Sequence, residues 1–431
     1  MRTLLKLLAF LLLLPTSITS EAQDINYARA LIDTLASPLM YGRGYVNKGD
    51  SLAASYLALQ FGHWELKSFG DNYYQPFSFN VNSFPEEVNV SLNGNELSPG
   101  DEFVVSADSH SDNGIYPVKT IRQKTFLKSQ KLKRIEEQDH SGYYIFFDLK
   151  PDDDKTKLVM PFVNSFIEKN PTDARGFILP VNSIWWHVWA KEMKQKPSTA
   201  VKVRSNAVPG NLKTISINVK AEYLDNHIAR NVIAWIPGKT QPDSFLVVTA
   251  HYDHIGMMGP KALFPGANDN ASGTAMLTDL ARHYSLPENH HDYSIAFMAF
   301  AGEEAGLLGS KYYTKNPLFP LEKIKFLLNL DMVGTGGDGL MVFNGTSDSL
   351  RYDILKNIND KNQYLKELRI RSGSANSDHY YFHEKGVPAF FLLTFGSEHR
   401  FYHDIYDTRE SLPLTKYNEV FRLITEFFNS I

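Results

Sequence analysis

Ala299-Phe300-Ala301-Gly302-Glu303-Glu304-Ala305-Gly306 is the stretch from which the fold is read. It follows residues 293–298, an apolar run of strand character, and precedes residues 307–315, which have the spacing of a short helix. Two adjacent carboxylates on a strand-to-helix turn point in different directions. One is then able to bind a metal ion while its neighbour faces an attacking water, a division of labour that suits hydrolysis. Taken alone, Glu303-Glu304 reads more simply as a solvated acidic turn favoured by the dipole at a helix start. The rest of the chain separates the two readings.

From residue 231 onward, strand and helix patterns alternate. Strands are expected at residues 231–235, 245–250, 293–301, 326–330 and 387–393, and helices at 271–284, 307–314, 350–358 and 416–428. Continuous apolar strands separated by helices argue for an α/β fold, a mostly parallel central sheet with helices on both faces. In such sheets ligands bind beyond the carboxyl ends of the strands. Every candidate ligand falls at that edge. His251 ends a strand in Ala250-His251-Tyr252-Asp253-His254, and Asp269 lies in a loop, residues 266–273, that enters a helix. Asp331 ends the strand before Met332, and His403 follows the last strand in Phe401-Tyr402-His403-Asp404. An isolated His or Asp is more often a satisfied polar residue than a ligand. Recurrence at one edge is what carries the argument. With Glu304, the set is two histidines and three carboxylates, which suits Zn²⁺, with Mn²⁺ or Co²⁺ allowed on chemical grounds. An Asp shared between two ions makes a pair about 3.5–4 Å apart feasible.

The chain has 431 residues, 43% hydrophobic and 21% charged, an ordinary globular balance with room for one large domain carrying an insertion, or two domains. Its net charge of −4 gives no electrostatic reason to expect nucleic acid or an acidic membrane surface as partner. Cysteine is absent, which excludes disulfides, thiolate zinc sites and a cysteine nucleophile. None of this bears on oligomeric state. Arg2 and Lys6 flank a leucine-rich run through Leu14, followed by Pro15, small polar residues and Ser20-Glu21-Ala22 before Gln23. Residues 1–22 therefore read as a signal peptide, and the run is shorter than the about 20 apolar residues that span a bilayer. An exported protein, periplasmic or secreted and without a stable membrane anchor, is expected.

Residues 24–36 and 49–63 have helical spacing, with Ala28, Leu31, Ile32 and Leu35 on one face and Leu52, Ala53, Tyr56, Leu57, Leu59 and Phe61 on the other helix. Between them, Tyr41-Gly42-Arg43-Gly44 lacks the spacing of a phosphate loop and reads as a surface loop. Residues 73–79 form an aromatic strand pattern. Over residues 85–219 short alternating runs sit among polar turns and Asp152-Asp153-Asp154. This reads as a smaller strand-rich domain inserted into a main domain of residues 23–84 and 220–431. Trp185, Trp186 and Trp189 with His187 make an aromatic patch, expected in a core, with a lip over the site as the lesser alternative. His254, His290, His291 and His399 read as solvated or structural.

These segments resemble the zinc aminopeptidase and glutamate carboxypeptidase family of two-metal exopeptidases, metallopeptidase family twenty-eight. Gly302-Glu303-Glu304-Ala305-Gly306-Leu307-Leu308-Gly309-Ser310 is the most specific part. Arg230-Asn231-Val232-Ile233, Pro237-Gly238 and Tyr41-Gly42-Arg43-Gly44 are similar to its weaker flanking signatures, and residues 85–219 loosely to its protease-associated insertions. The resemblance implies that His251 and Asp331 hold one zinc, Glu304 and His403 the other, and that Asp269 bridges them. Glu303 would be general base and then acid, with Tyr402 a candidate oxyanion donor. Asp253 would orient the ligating imidazole of His251, and a cis peptide would follow Asp269. Ser377-Asp378-His379 and Phe382 would support the site, His379 in the substrate pocket. The implied partner is a peptide cleaved at its free amino terminus. A glutaminyl cyclase of related fold is the second reading; Gly306-Leu307-Leu308-Gly309 looks more like the peptidase branch. A carboxypeptidase would need a basic pocket, for which Arg371 or Arg400 could serve. A non-enzymatic binding protein would be expected to have lost ligands, and all are present.

Overall fold

The computed structural model describes residues 23–188, 190 and 194–431. The leader segment 1–22 and Trp189 lie outside the described residues. Three largely apolar strands form the middle of the main sheet: Gln241–His251, Tyr293–Phe300 and Ile324–Leu330. Their side chains alternate between two cores. Leu246, Val248, Phe297, Ala299, Phe326 and Leu328 face one, and Phe245, Val247, Met298, Phe300 and Leu327 the other. That two-sided burial is the physical reason residues 245–248, 295–300 and 326–328 are apolar instead of alternating with polar residues.

The first core is closed by helices Ile25–Leu35, Gly49–His63, Gly273–Ser285, Ser349–Asn362 and Tyr417–Phe428. The second is closed by Leu308–Lys315 and His379–Glu384, through Tyr313 and Phe382. In Gly49–His63 the buried side is Ala53, Ala54, Leu57 and Phe61, whereas Leu52 and Leu59 point to solvent, so two of the six expected apolar positions are exposed. Small residues set the packing side because they allow close approach.

The eight strands run in the order Tyr74–Ser83, Glu222–Ile236, Tyr293–Phe300, Gln241–His251, Ile324–Leu330, Ala389–Phe395, Gly339–Phe343, Leu368–Arg371. The middle four are parallel to one another. Antiparallel pairings flank them on both sides. His251 pairs with Phe300, and Thr249 with Asn329. This register brings the chain after Phe300, Leu330 and Ala250 to one edge at one level.

A second eight-stranded sheet is built from strands between Val88 and Val219, with parallel pairings through Asp112–Arg122, Tyr144–Asp148, Gly176–Val181 and Thr199–Arg204. Its core is continuous with Tyr45, Phe84, Met258, Phe264 and Ala305 of the main body, packed through the hairpin Gly256–Met258 and Ala262–Phe264. Among the described residues no helix is long and apolar enough to cross a membrane.

Tyr41-Gly42-Arg43-Gly44 is not the surface loop its polarity suggests. Arg43 is fully buried and donates to the carbonyls of Leu35, Tyr252, Pro265, Gly266 and Asp269 at 2.7–3.1 Å. Gly42, at φ +63°, leaves no room for a Cβ, which would stand 2.4 Å from the Gly256 carbonyl oxygen. A charged residue predicts exposure only when no set of carbonyls is on offer to satisfy it.

Asp279, on helix Gly273–Ser285, is another buried charge, paired with Arg282 at 2.7 Å. Burial, opposed by Arg282, pushes its carboxyl up to about 6. A raised folded-state value means stability that is fully present below the unfolded value and lost as pH rises through about 6. Asp279→Asn, which carries no charge, is therefore expected to gain on the wild type in thermal midpoint between pH 4 and pH 7. Parallel melting curves across that range check it.

Candidate metal centre

The sheet edge collects the predicted ligands from five loops. His251 Nε2 stands 3.4 Å from Asp269 Oδ1 and 3.4 Å from Asp331 Oδ1. His403 Nε2 stands 3.1 Å from Asp269 Oδ2 and 3.1 Å from Glu304 Oε2. Asp269 thus turns one oxygen to each histidine. Ligand atoms of His251, Glu303 and Asp331 lie within 4.8 Å of one another, and so do those of His254, Asp269, Glu304 and His403. Imidazole nitrogens and carboxylate oxygens without thiolates are a donor set for zinc or another divalent first-row metal. The residues present fit two ions that share Asp269.

Burial works against a charged His403, yet Glu304 and Asp269 push its imidazole up to about 11. Burial, opposed by His251 and reinforced by Glu304 and Asp331, lifts the Glu303 carboxyl well above the usual range. Glu304 goes the opposite way: burial is outweighed by His403 and His254, which hold it well below. Two neighbours in sequence are thereby given different protonation behaviour by their surroundings.

Local structure fixes each group. The peptide Asp269-Asn270 is cis. The loop carrying Asp269 is held by Asp407, whose carboxylate accepts from the amides of Asn268 and Asp269 at 2.9 and 3.0 Å and stands 2.9 Å from His399 Nε2. Arg43 donates to the carbonyls of Gly266 and Asp269 in the same loop. Asp331 accepts from Ser377 Oγ at 2.8 Å. Ser377 in turn accepts from Asn329, and Asn329 from Thr249 Oγ1 at 2.6 Å.

Asp253 stands differently from expectation. Its carboxylate is 3.9 Å from His251 Nδ1 and instead accepts from the amides of Glu303 and Glu304 at 3.2 and 3.3 Å. The partner 3.1 Å from Nδ1 is the Asp253 backbone carbonyl. Asp253 therefore braces the turn that aims the two glutamates. His379 is fully buried against Phe391, 5.3 Å between rings, and does not line the cavities beside the ligands. Phe382 packs in the second core. Arg371 and Arg400 are exposed and line neither cavity.

Two groups escaped the sequence reading. His254, expected to be solvated or structural, is buried with Nδ1 2.7 Å from Glu304 Oε1. Its spacing of three from His251 was the available signal. His187 reaches in from the second sheet: its Nδ1 is 2.9 Å from His403 Nδ1, and the Trp186 carbonyl oxygen is 3.1 Å from the same nitrogen. No periodicity links residues 186–187 to residue 403. Trp186 is core against Phe264, and Trp185 is exposed against Tyr402, so the patch is both core and lip. Tyr402 stacks on His403 at 3.9 Å.

A family model, that of peptidase family M28, matches residues 231–428. Residues 231–428 are a domain of that family. The M28 domain contains every proposed ligand. A probable leucine aminopeptidase of Arthroderma otae is 32% identical over 215 residues, 48% of this chain and 59% of that protein. Aminopeptidase YwaD of Bacillus subtilis is 31% identical over 200 residues, 45% of this chain and 41% of that protein. The chain thus spans about half the length of the curated relatives it matches. Two solved structures share the fold over nearly the whole chain. One is a zinc aminopeptidase from Bacillus subtilis, with TM-score 0.68, 21% identity and 94% of both chains covered. The other is a peptidase M28 precursor from Shewanella amazonensis, with TM-score 0.70, 17% identity and 95% and 93% covered.

Proposed function

We propose that this chain is an exported zinc aminopeptidase, with His251 and Asp331 holding one ion, Glu304 and His403 the other, and Asp269 between them. The observation that carries it is Asp269, whose two oxygens face histidines from different loops at 3.4 and 3.1 Å. Bound zinc would supply carbonyl polarisation and a more acidic water. Glu303, beside the cavity and with a side chain 12% exposed, takes the proton of the attacking water and later delivers it to the leaving amine. Tyr402 is the donor for the developing oxyanion; burial, with Asp269 and Glu304, raises its phenol and keeps it protonated. The cavity at the ligands, walled by Met332, Phe391 and Leu393, is lined by no lysine or arginine, which favours an amino-terminal residue over a terminal carboxylate there. The leucine-rich leader supports export.

The test is a substrate panel with and without chelator. Unblocked leucyl peptides and leucine p-nitroanilide are expected to be cleaved, N-acetylated ones not, and chelator to abolish cleavage until zinc is restored. Ring closure of N-terminal glutamine would instead place the protein with the cyclases. Asp407→Asn keeps the shape of a side chain that accepts two amides of the bridging loop. A roughly 10–100-fold weaker zinc affinity is expected, measured by chelator competition.

A further inference from the structure

Three cavities adjoin one another from the metal centre outward. The first, about 220 Å³, holds the proposed ligands and the walls Met332, Phe391 and Leu393. The second, about 370 Å³, shares Glu303, Glu304, Asn376 and His403 with the first and adds Val188, Leu307 and Tyr381. The third, about 290 Å³, shares His187 with the second and is walled by Val104, Val105, Trp185 and Trp186. Trp185 also meets Tyr402 of the first cavity, ring to ring at 6.4 Å, so the third cavity borders the centre on that side too.

The third cavity has one cationic wall, Lys202, from strand Thr199–Arg204 of the second sheet. Among the described residues Lys202 has no carboxylate partner. Asp108, in the same wall, is already engaged by Lys196 at 2.8 Å, and Lys196 also holds Glu168 at 2.6 Å. A half-buried ammonium whose neighbouring carboxylate is already paired elsewhere is costly among apolar and aromatic walls. Burial, opposed only in part by Asp108, lowers the Lys202 ammonium from its ordinary value. An arriving anion removes that cost.

We propose that Lys202 binds the free C-terminal carboxylate of short peptides whose amino-terminal residue lies at the metal centre, making the third cavity a terminal-carboxylate subsite. The proposal rests on the aminopeptidase reading and narrows it to small peptides. The side chain of the first residue lies against Met332, Phe391 and Leu393, the next residue passes Val188 and Leu307, and the chain end reaches Lys202. The second sheet thereby measures substrate length.

The experiment compares Leu-Gly-Gly, Leu-Gly-Gly-amide and leucine p-nitroanilide on the zinc-loaded full chain. The wild type is expected to show a KM about tenfold lower for the free acid than for the amide, the scale of one charge-assisted contact. Lys202→Met should erase that difference by raising KM for the acid alone, with kcat and both uncharged substrates unchanged. Lys202→Arg should restore it. Equal KM for acid and amide in the wild type overturns the proposal, as does a Lys202→Met effect shared by all three substrates. Failure to cleave leucine p-nitroanilide overturns the aminopeptidase reading beneath it.

Discussion

Glu303→Gln is expected to lower kcat for leucyl peptides by about 10²–10⁴-fold, the range for losing a general base, with zinc content per chain unchanged. The amide has the size of the carboxylate but cannot accept the proton of water at neutral pH. Its neighbour differs in kind. Glu304 is held by His254 at 2.7 Å and His403 at 3.1 Å, whereas Glu303 comes no closer than 3.9 Å to His251 and opens on the cavity. Glu304→Gln should therefore lose metal as well as rate. Metal analysis beside steady-state kinetics separates the two. Wild-type turnover in Glu303→Gln would sink the proton-transfer role, and loss of zinc in it would make Glu303 a ligand.

Arg43→Met is expected to destabilise the fold by about 3–5 kcal/mol, the cost of breaking a buried charged network, or to prevent folding. Five carbonyls from three segments converge on this guanidinium. Methionine leaves them buried and unsatisfied. Burial lowers the guanidinium only to about 10, against the raising influence of Asp269, Asp407, Asp253 and Glu304, so it stays charged at neutral pH. It thus offsets part of the negative charge of the centre as well as holding its loop. Arg43→Lys should recover only part of the loss, because an ammonium has three donors and no fork. Chemical denaturation measures both variants; a change under about 1 kcal/mol for Arg43→Met, the median scale for ordinary substitutions, would contradict the structure's account of this residue.

Much of the site was legible because it lies at chain positions where a period changes. His251, Glu303 and Asp331 each lie at or just beyond the end of a largely apolar strand. A strand buried on both faces has to end where a polar side chain appears, so these ends announce themselves. The outer strand Leu368–Arg371 did not, since a mostly exposed edge strand carries little apolar signal. Arg43 was misplaced for the related reason that exposure was inferred from charge, while its partners are backbone carbonyls that any sequence provides.

Hydrophobic periodicity by itself determined the α/β class, the order of the central elements and the edge at which the ligands gather, because burial on two faces of a sheet writes directly into residue type. Tertiary structure alone decided what stands around those ligands. His187 and the Trp186 carbonyl against His403, Asp407 beneath Asp269, and Lys202 in the outermost cavity come from segments far apart in the chain. Each meets its partner through a single polar contact or a shared wall, and such contacts have no period along the sequence to reveal them.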